Sequence, residues 1–478
     1  MLLRQTLLYL PAQVLGPIVQ FISIVLWTYF LDPTEMGTFA LITAAQEFGY
    51  IATLFWFTLY TMRYFDRNAD TAHQARFLNT EAGVMLAAGI GTALGVLALP
   101  LFIDVAWNTG LAAASLAYCL SRTLATHLTD RARTAADTVA YTVMQITWPV
   151  LGLALGIAFV KLFGATAASV LWGYAAAQII SLAGVVARLG VGLKPLSVSQ
   201  DMIKTALRYG LPLVIGGLFV WLANNGLRFV IERHEGAAAV GLVTVGWGLG
   251  LRAAAFAAML VTAAAFPLAV AKSRESGMAE GQAQLVRNGI LLLAILAPAA
   301  GGLWAISEPL VERIVAAPFR DMTAAVLPWA IIAGAARNLR IHFGEQVFLL
   351  REETQIPLVN DIIDGLAALG GGAIGLAYGG LPGSVAGAAG GSILSLLITL
   401  ACGAHWHKFS MPAGHLVRIL GATAAMVGVL HFVPVAPDTV SLGLAVAAGG
   451  GVYALALALA YPGTAGEVLV RIRQLRQT

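Results

Sequence analysis

Residues 204–267 read KTALRYGLPLVIGGLFVWLANNGLRFVIERHEGAAAVGLVTVGWGLGLRAAAFAAMLVTAAAFP, and this stretch decides the fold class. Two apolar runs flank a short charged turn, IERHEG. Each run is long enough to cross a hydrocarbon core of about 30 Å at about 1.5 Å per residue. Both also carry groups that a bilayer disfavours: Asn224, Asn225 and Arg228 in the first run, Arg252 in the second. Arg252 falls near the middle of its run. An arginine at that depth costs several kcal/mol on a lipid-facing surface, by order of magnitude, so it is expected to face a bundle interior or a wet cavity.

Composition extends this reading to the whole chain. Hydrophobic residues make up 59% of it and charged residues 11%, which excludes an ordinary soluble domain. The net charge of +4 is modest and gives no support to nucleic-acid binding. Both cysteines, Cys119 and Cys402, fall inside apolar runs and are expected to stay unpaired. The opening MLLRQTLLYLPAQ has no small-residue cleavage site, so it is read as a first span rather than a signal peptide.

Apolar stretches of about 20 residues occur fourteen times. They lie at 7–31, 35–61, 79–103, 107–127, 138–160, 164–187, 207–231, 238–270, 285–306, 322–348, 355–378, 381–403, 413–433 and 437–461. The predicted fold class is therefore an all-α polytopic membrane protein. With the N-terminus inside, Lys161, Arg228, Arg233, Arg313 and Arg320 face outward and Arg252 is mid-span. All other basic residues, Arg471, Arg473 and Arg476 included, collect at the inner side, so both termini are expected in the cytoplasm. The outer loops are short. The longest, ISEPLVERIVAAPFRD at 306–321, is read as a short interfacial helix or a loop dipping toward the headgroups.

A weak repeat relates the first span to the seventh. Pro11 and Pro212 occupy similar places, and a short acidic turn with a Gly-led restart follows each. Aligning Gly37 with Gly241 sets Glu47 beside Arg252. Six crossings separate the two copies, which predicts six-helix lobes in a parallel pseudo-two-fold repeat. The expected division is an N-terminal lobe at 1–188, a linker at 189–204, a C-terminal lobe at 205–408, and two further helices with a cytoplasmic tail at 409–478. The glycine-rich run ALGGGAIGLAYGGLPGSVAGAAGGS reads as close helix packing, not as a phosphate loop.

The intramembrane charges are the candidate functional residues. Glu47 sits near mid-span, either as a proton or cation coupling site or gate, or paired with Arg252. Arg337 and Arg340 share a helix face, three apart, and Asp361 and Asp364 do likewise on the next span. These four form either a cationic cavity wall balanced by carboxylates, with the aspartates in coupling or gating, or helix–helix ion pairs. Arg340 and Asp361 are expected at similar depth. Arg63 ends its span as an anchor or as a captor of an anionic headgroup. Arg228 either snorkels or faces the cavity mouth. His405 and His407 lack companions for a metal site, and no cofactor is expected. No nucleophile–base pair or paired-carboxylate loop points to an enzyme.

LDPTEMGTFALI at 31–42 resembles the L-x-P-x-E-x-G-x-[YF]-A-L pattern of the polysaccharide-transporter, or Wzx-type, lipid-linked oligosaccharide flippases. The stretches LRYGLPLVIGGLFVWLANNGLRFVIERHEGAAAVGLVTVG and EPLVERIVAAPFRDMTAAVLPWAIIAGAARNL resemble the same family, so the likeness spans about residues 1–410. Leu227 stands where that family often has an acidic residue. The resemblance implies a transporter that moves undecaprenyl-diphosphate-linked oligosaccharide from the inner to the outer leaflet of a bacterial inner membrane. Its products would be exopolysaccharide, capsule or O-antigen of lipopolysaccharide. Implied partners are the polyprenyl-diphosphate glycan, the bilayer, and polymerase and export machinery. Arg252, Arg337, Arg340, Arg63, Arg228, Asn224 and Asn225 would meet the diphosphate and glycan, by alternating access around a cationic cavity. A cation-coupled multidrug exporter of the same fold, or a membrane scaffold for a polysaccharide synthase, are the alternatives.

Overall fold

The computed structural model describes residues 2–192, 194 and 197–462. The basic tail with Arg471, Arg473 and Arg476, expected in the cytoplasm, lies outside the described residues. Each of the fourteen expected spans falls on a helix. The chain is all-helical and multi-pass. Large apolar side chains such as Leu97, Phe163, Tyr378 and Leu459 stand exposed, as surfaces facing lipid do.

The chain divides into two compact units, 1–245 and 246–478. The seventh span packs within the first unit, where Gly210 leaves no room for a Cβ against the Trp56 backbone.

The first unit contains α1 (Leu2–Phe30), α2 (Pro33–Tyr50), α3 (Trp56–Tyr64), α4 (Thr71–Ala98), α5 (Thr109–Thr134), α6 (Thr138–Phe163), α7 (Ala167–Leu189) and α8 (Gln200–Trp221). The start of α9 (Leu227–Ser276) completes it. A π-helical turn at Ile51–Phe55 joins α2 to α3, and a second at Leu222–Gly226 joins α8 to α9. Most starts carry a side-chain cap. Asp32, Asp70, Asn108, Asp137, Thr166 and Ser199 each accept from a backbone amide of the first turn.

The LDPTEMG stretch now has a physical account. Asp32 caps α2, and Pro33 takes the first turn, where no amide partner is lost. Glu35 Oε2 accepts from the Ala167 amide at 2.7 Å and so anchors the start of α7. Gly37 crosses α9, where a Cβ would overlap the Ala237 carbonyl; Gly241 in turn meets Pro33. The charged turn of the opening stretch ends at Gly236, whose φ of 80° breaks α9 into two crossings.

The second unit continues from α9 through α10 (Met278–Ala305), the short α11 (Ser307–Ile314), α12 (Arg320–Leu339) and α13 (Gln346–Leu350). It ends with α14 (Gln355–His407), α15 (Ala413–Phe432) and α16 (Thr439–Ala460). The loop expected to be interfacial holds α11. A third π-helical turn, Arg340–Gly344, joins α12 to α13. Gly380 breaks α14 into two antiparallel spans with a φ of 61°. The glycine-rich run lets them touch by backbone, Gly371 on Gly387 and Gly375 on Gly383.

Among the described residues, nine helical stretches are long and apolar enough to cross a membrane. Two of these, Gln200–Ser276 and Gln355–His407, each hold two of the expected spans. Both cysteines are free.

Candidate functional site

Inside the first unit, α2, α5 and α8 with the two π-helical turns enclose a cavity of about 320 Å³. Its polar lining is Gln46, Glu47, Tyr50, Arg122, Thr126, Asn224 and Asn225; Ile51, Phe55 and Trp221 supply apolar and aromatic wall. The π turns matter here, because one extra residue per turn rotates the side chains that follow. One turn follows Glu47 and Tyr50 directly, and the other carries Asn224 and Asn225.

Glu47 Oε2 accepts a hydrogen bond from Asn225 Nδ2 at 2.9 Å. Trp221 Nε1 donates to the Ala44 carbonyl at 2.9 Å, and Arg228 Nη1 to the Ala40 carbonyl at 3.3 Å. These three bonds stitch α2 to the end of α8 and the start of α9. Arg122 projects from α5 with its guanidinium 3.9 Å from the centre of the Trp148 ring, a cation–π contact that fixes its direction. The cavity therefore presents one cation, one carboxylate and three amides at close quarters.

The sequence reading had Asn224 and Asn225 meeting the substrate and kept Glu47 apart from them, in coupling or gating or paired with Arg252; here the three line one cavity. It counted Arg122 only among the inner-side basic residues and did not single out Tyr50. Arg63 lies elsewhere, exposed at the end of α3 with its guanidinium 4.9 Å from the Tyr209 ring centre. Arg252 is half-buried in the second unit.

Arg337 and Arg340 also lie in the second unit, and they do not form an open cationic wall there. Both are buried, at 7% and 1% exposure. Arg340 pairs with Glu345 through Nη1, and with Asp361 at 3.0 Å and Asp364 at 3.5 Å through Nη2. Arg337 meets Asp364 at 3.3 Å, donates to Ser392 Oγ at 3.0 Å and lies over Trp247. The geometry answers to the ion-pair reading, and the reason is desolvation: two buried guanidinium groups need carboxylate partners. Asp361 and Asp364 are those partners. His407 binds Glu353 at 2.8 Å, and no cluster of three metal-ligating side chains occurs among the described residues.

A second buried polar cluster, unforeseen in the sequence, lies in the first unit. Glu81, His127 and Arg131 are joined there, with Arg131 Nη1 2.5 Å and His127 Nε2 2.9 Å from the carboxylate. The available signal was the spacing of His127 and Arg131, four apart on α5 and hence on one face.

Comparison with solved structures places the fold. The lipid II flippase MurJ in an inward closed conformation matches with a TM-score of 0.74 at 12% identity, over 95% of this chain and 99% of that one. An inward-facing multidrug resistance MATE family transporter of the MOP superfamily matches with a TM-score of 0.56 at 15% identity, over 84% and 94%. A Vibrio cholerae MATE transporter matches with a TM-score of 0.56 at 15% identity, over 85% and 97%. No curated protein matches the sequence. The fold is thus one shared with the lipid II flippase MurJ and the MATE transporters. The family model described as polysaccharide biosynthesis protein matches residues 2–271, more than half of the chain, and to that family this protein belongs.

Proposed function

We propose that this protein moves a polyprenyl-diphosphate-linked oligosaccharide from the inner to the outer leaflet of a bacterial inner membrane, with both termini in the cytoplasm. The observation that carries the reading is the cavity lined by Arg122, Asn224 and Asn225. Guanidinium and amide donors suit diphosphate oxygens, and a fork of parallel N–H groups suits them best. The cavity volume, about 320 Å³, is at the small end for ligand sites, so the longer glycan requires a more open state. Alternating access between parallel-repeat lobes supplies such a state. The lipid tail would stay in the bilayer while the headgroup crosses.

A second reading has one observation in its favour. Glu47 beside Tyr50, Phe55 and Trp221 is also a wall that an organic cation favours. The test uses purified protein in liposomes containing a fluorescent lipid-diphosphate oligosaccharide, with headgroup accessibility read by an added quencher. Wild-type protein is expected to equilibrate the two leaflets, and Arg122→Ala to lose most of that rate with normal insertion. Efflux of an organic cation without glycan movement would instead establish the exporter. No movement of either would leave a scaffold.

A further inference from the structure

The Glu81–His127 pair does not stand alone. His127 Nδ1 lies 2.8 Å from Thr58 Oγ1, and the Tyr50 hydroxyl donates to the same oxygen at 3.1 Å. Tyr50 lines the cavity. Glu81, His127 and Thr58 are fully buried, and Arg131 closes the far end by donating to the Leu189 carbonyl at the end of α7. A continuous row of hydrogen bonds thus runs from the cavity wall, through Tyr50, Thr58, His127 and Glu81, to the helix ends near the expected inner face.

We infer that His127 is a proton-binding site for transport, loaded from the cavity through Tyr50 and Thr58. The inference rests on the transporter reading and adds its coupling ion.

The geometry satisfies both protonation states. With His127 neutral, Nε2–H donates to Glu81, Thr58 O–H donates to Nδ1, and Tyr50 O–H donates to Thr58. With His127 charged, Nδ1–H donates to Thr58 Oγ1, and the Thr58 hydroxyl turns to the Leu54 carbonyl, 3.2 Å away. Leu54 belongs to the π-helical turn, where the backbone ladder is shifted. A proton entering at the Tyr50 oxygen displaces the phenolic proton to Thr58, whose own proton passes to Nδ1. The hydroxyls end neutral and the imidazole gains one charge. A merely structural pair needs partners for only one of these states.

Charge bookkeeping points the same way. Glu81 and Arg131 balance one another, as do Asp130 and Arg133 on the same helix, so a proton on His127 leaves a net positive charge. Phe57 packs its ring against His127, and Tyr60 and Tyr141 stand among the titratable groups on the surrounding helices, with Arg122 and Arg133 on α5 itself. A positive His127 attracts an anion held at the cavity, and the anion in turn favours the proton.

The experiment is a titration of the imidazole by NMR, on full-length protein in detergent with labelled histidine. His127→Gln assigns the signal, or substitution of the remaining histidines in turn if that variant does not fold. The expected result is a signal that protonates reversibly as the pH is varied. Tyr50→Phe should displace the midpoint by about half a pH unit or more, a factor of about three in proton affinity. Farnesyl diphosphate should move it to higher pH in wild type and not in Arg122→Ala. A signal that does not titrate, or that Tyr50→Phe leaves in place, overturns the inference. Displacement by Tyr50→Phe without any response to farnesyl diphosphate upholds the proton site and removes the diphosphate as substrate.

Discussion

Asn225 Nδ2 donates to Glu47 Oε2 at 2.9 Å, and this bond joins the two π-helical regions that shape the cavity. Glu47 thereby has a partner from the seventh span. It is exposed to the cavity, and its charge offsets that of Arg122 on the facing wall.

Glu47→Gln keeps an acceptor for Asn225 and removes the negative charge. It should tighten binding of farnesyl diphosphate while altering the rate of headgroup movement. Glu47→Ala removes the bond as well. Combined with Asn225→Ala in a double-mutant cycle on melting temperature, it should show a coupling of about 1 kcal/mol. Additive losses would mean that the bond contributes nothing.

Arg340→Ala should behave differently from Arg122→Ala. It strands Glu345 and Asp361 and leaves Asp364 to Arg337 alone, at a cost of about 3–5 kcal/mol. The expected outcome is little folded protein after detergent extraction, measured by size-exclusion chromatography. Arg122→Ala should give normal yield. Equal yields for both would place Arg340 at a binding surface after all.

Gly37→Ala and Gly241→Ala should each push α2 and α9 apart, since the added methyl meets backbone rather than a movable side chain. A loss of about 1–3 kcal/mol is expected, seen as a lower melting temperature in detergent. Gly370→Ala, at a position with open space around it, should cost far less and serves as the control.

Asp137 gives a pH signature outside the membrane spans. Burial pushes its carboxyl up, but the Ala140 amide and the Arg188 guanidinium outweigh burial and hold it below the usual carboxylate range. A lowered folded-state value means that its stabilisation is fully present above the unfolded carboxylate range. It is lost as pH falls through the folded value. Asp137→Ala should therefore lower the melting temperature at pH 7, by the equivalent of about 1 kcal/mol for the lost cap, with Arg188 adding little because it is half exposed. At acid pH the variant and wild type should converge.

Orientation has its own test. Single cysteines at Thr34, Asn108 and Asp438 should react with an impermeant thiol reagent in intact cells, and those at Asn68 and Ser276 only after permeabilisation. Reversal at two of these sites would invert the proposed topology.

The helical, multi-pass character was legible in the chain itself, because a run of about 20 apolar residues has few other fates in a bilayer and Gly236 and Gly380 mark the sharp turns. The family likeness was legible too, since Asp32, Pro33, Glu35 and Gly37 act through caps and a close helix crossing set by local spacing. The similar depth of Arg340 and Asp361 was legible, and the tertiary structure decided that they pair. Which charges meet a cavity did not follow. Depth is a property of one helix, whereas facing a cavity or a partner depends on rotation about the helix axis, and the π-helical turns change that rotation without a mark in composition. Hence Arg337 and Arg340, singled out by their depth, are paired by tertiary packing, whereas Arg122, counted with the inner-side basic residues, lines the cavity. The same packing joins Glu81, His127, Thr58 and Tyr50, drawn from three separate spans, into one row.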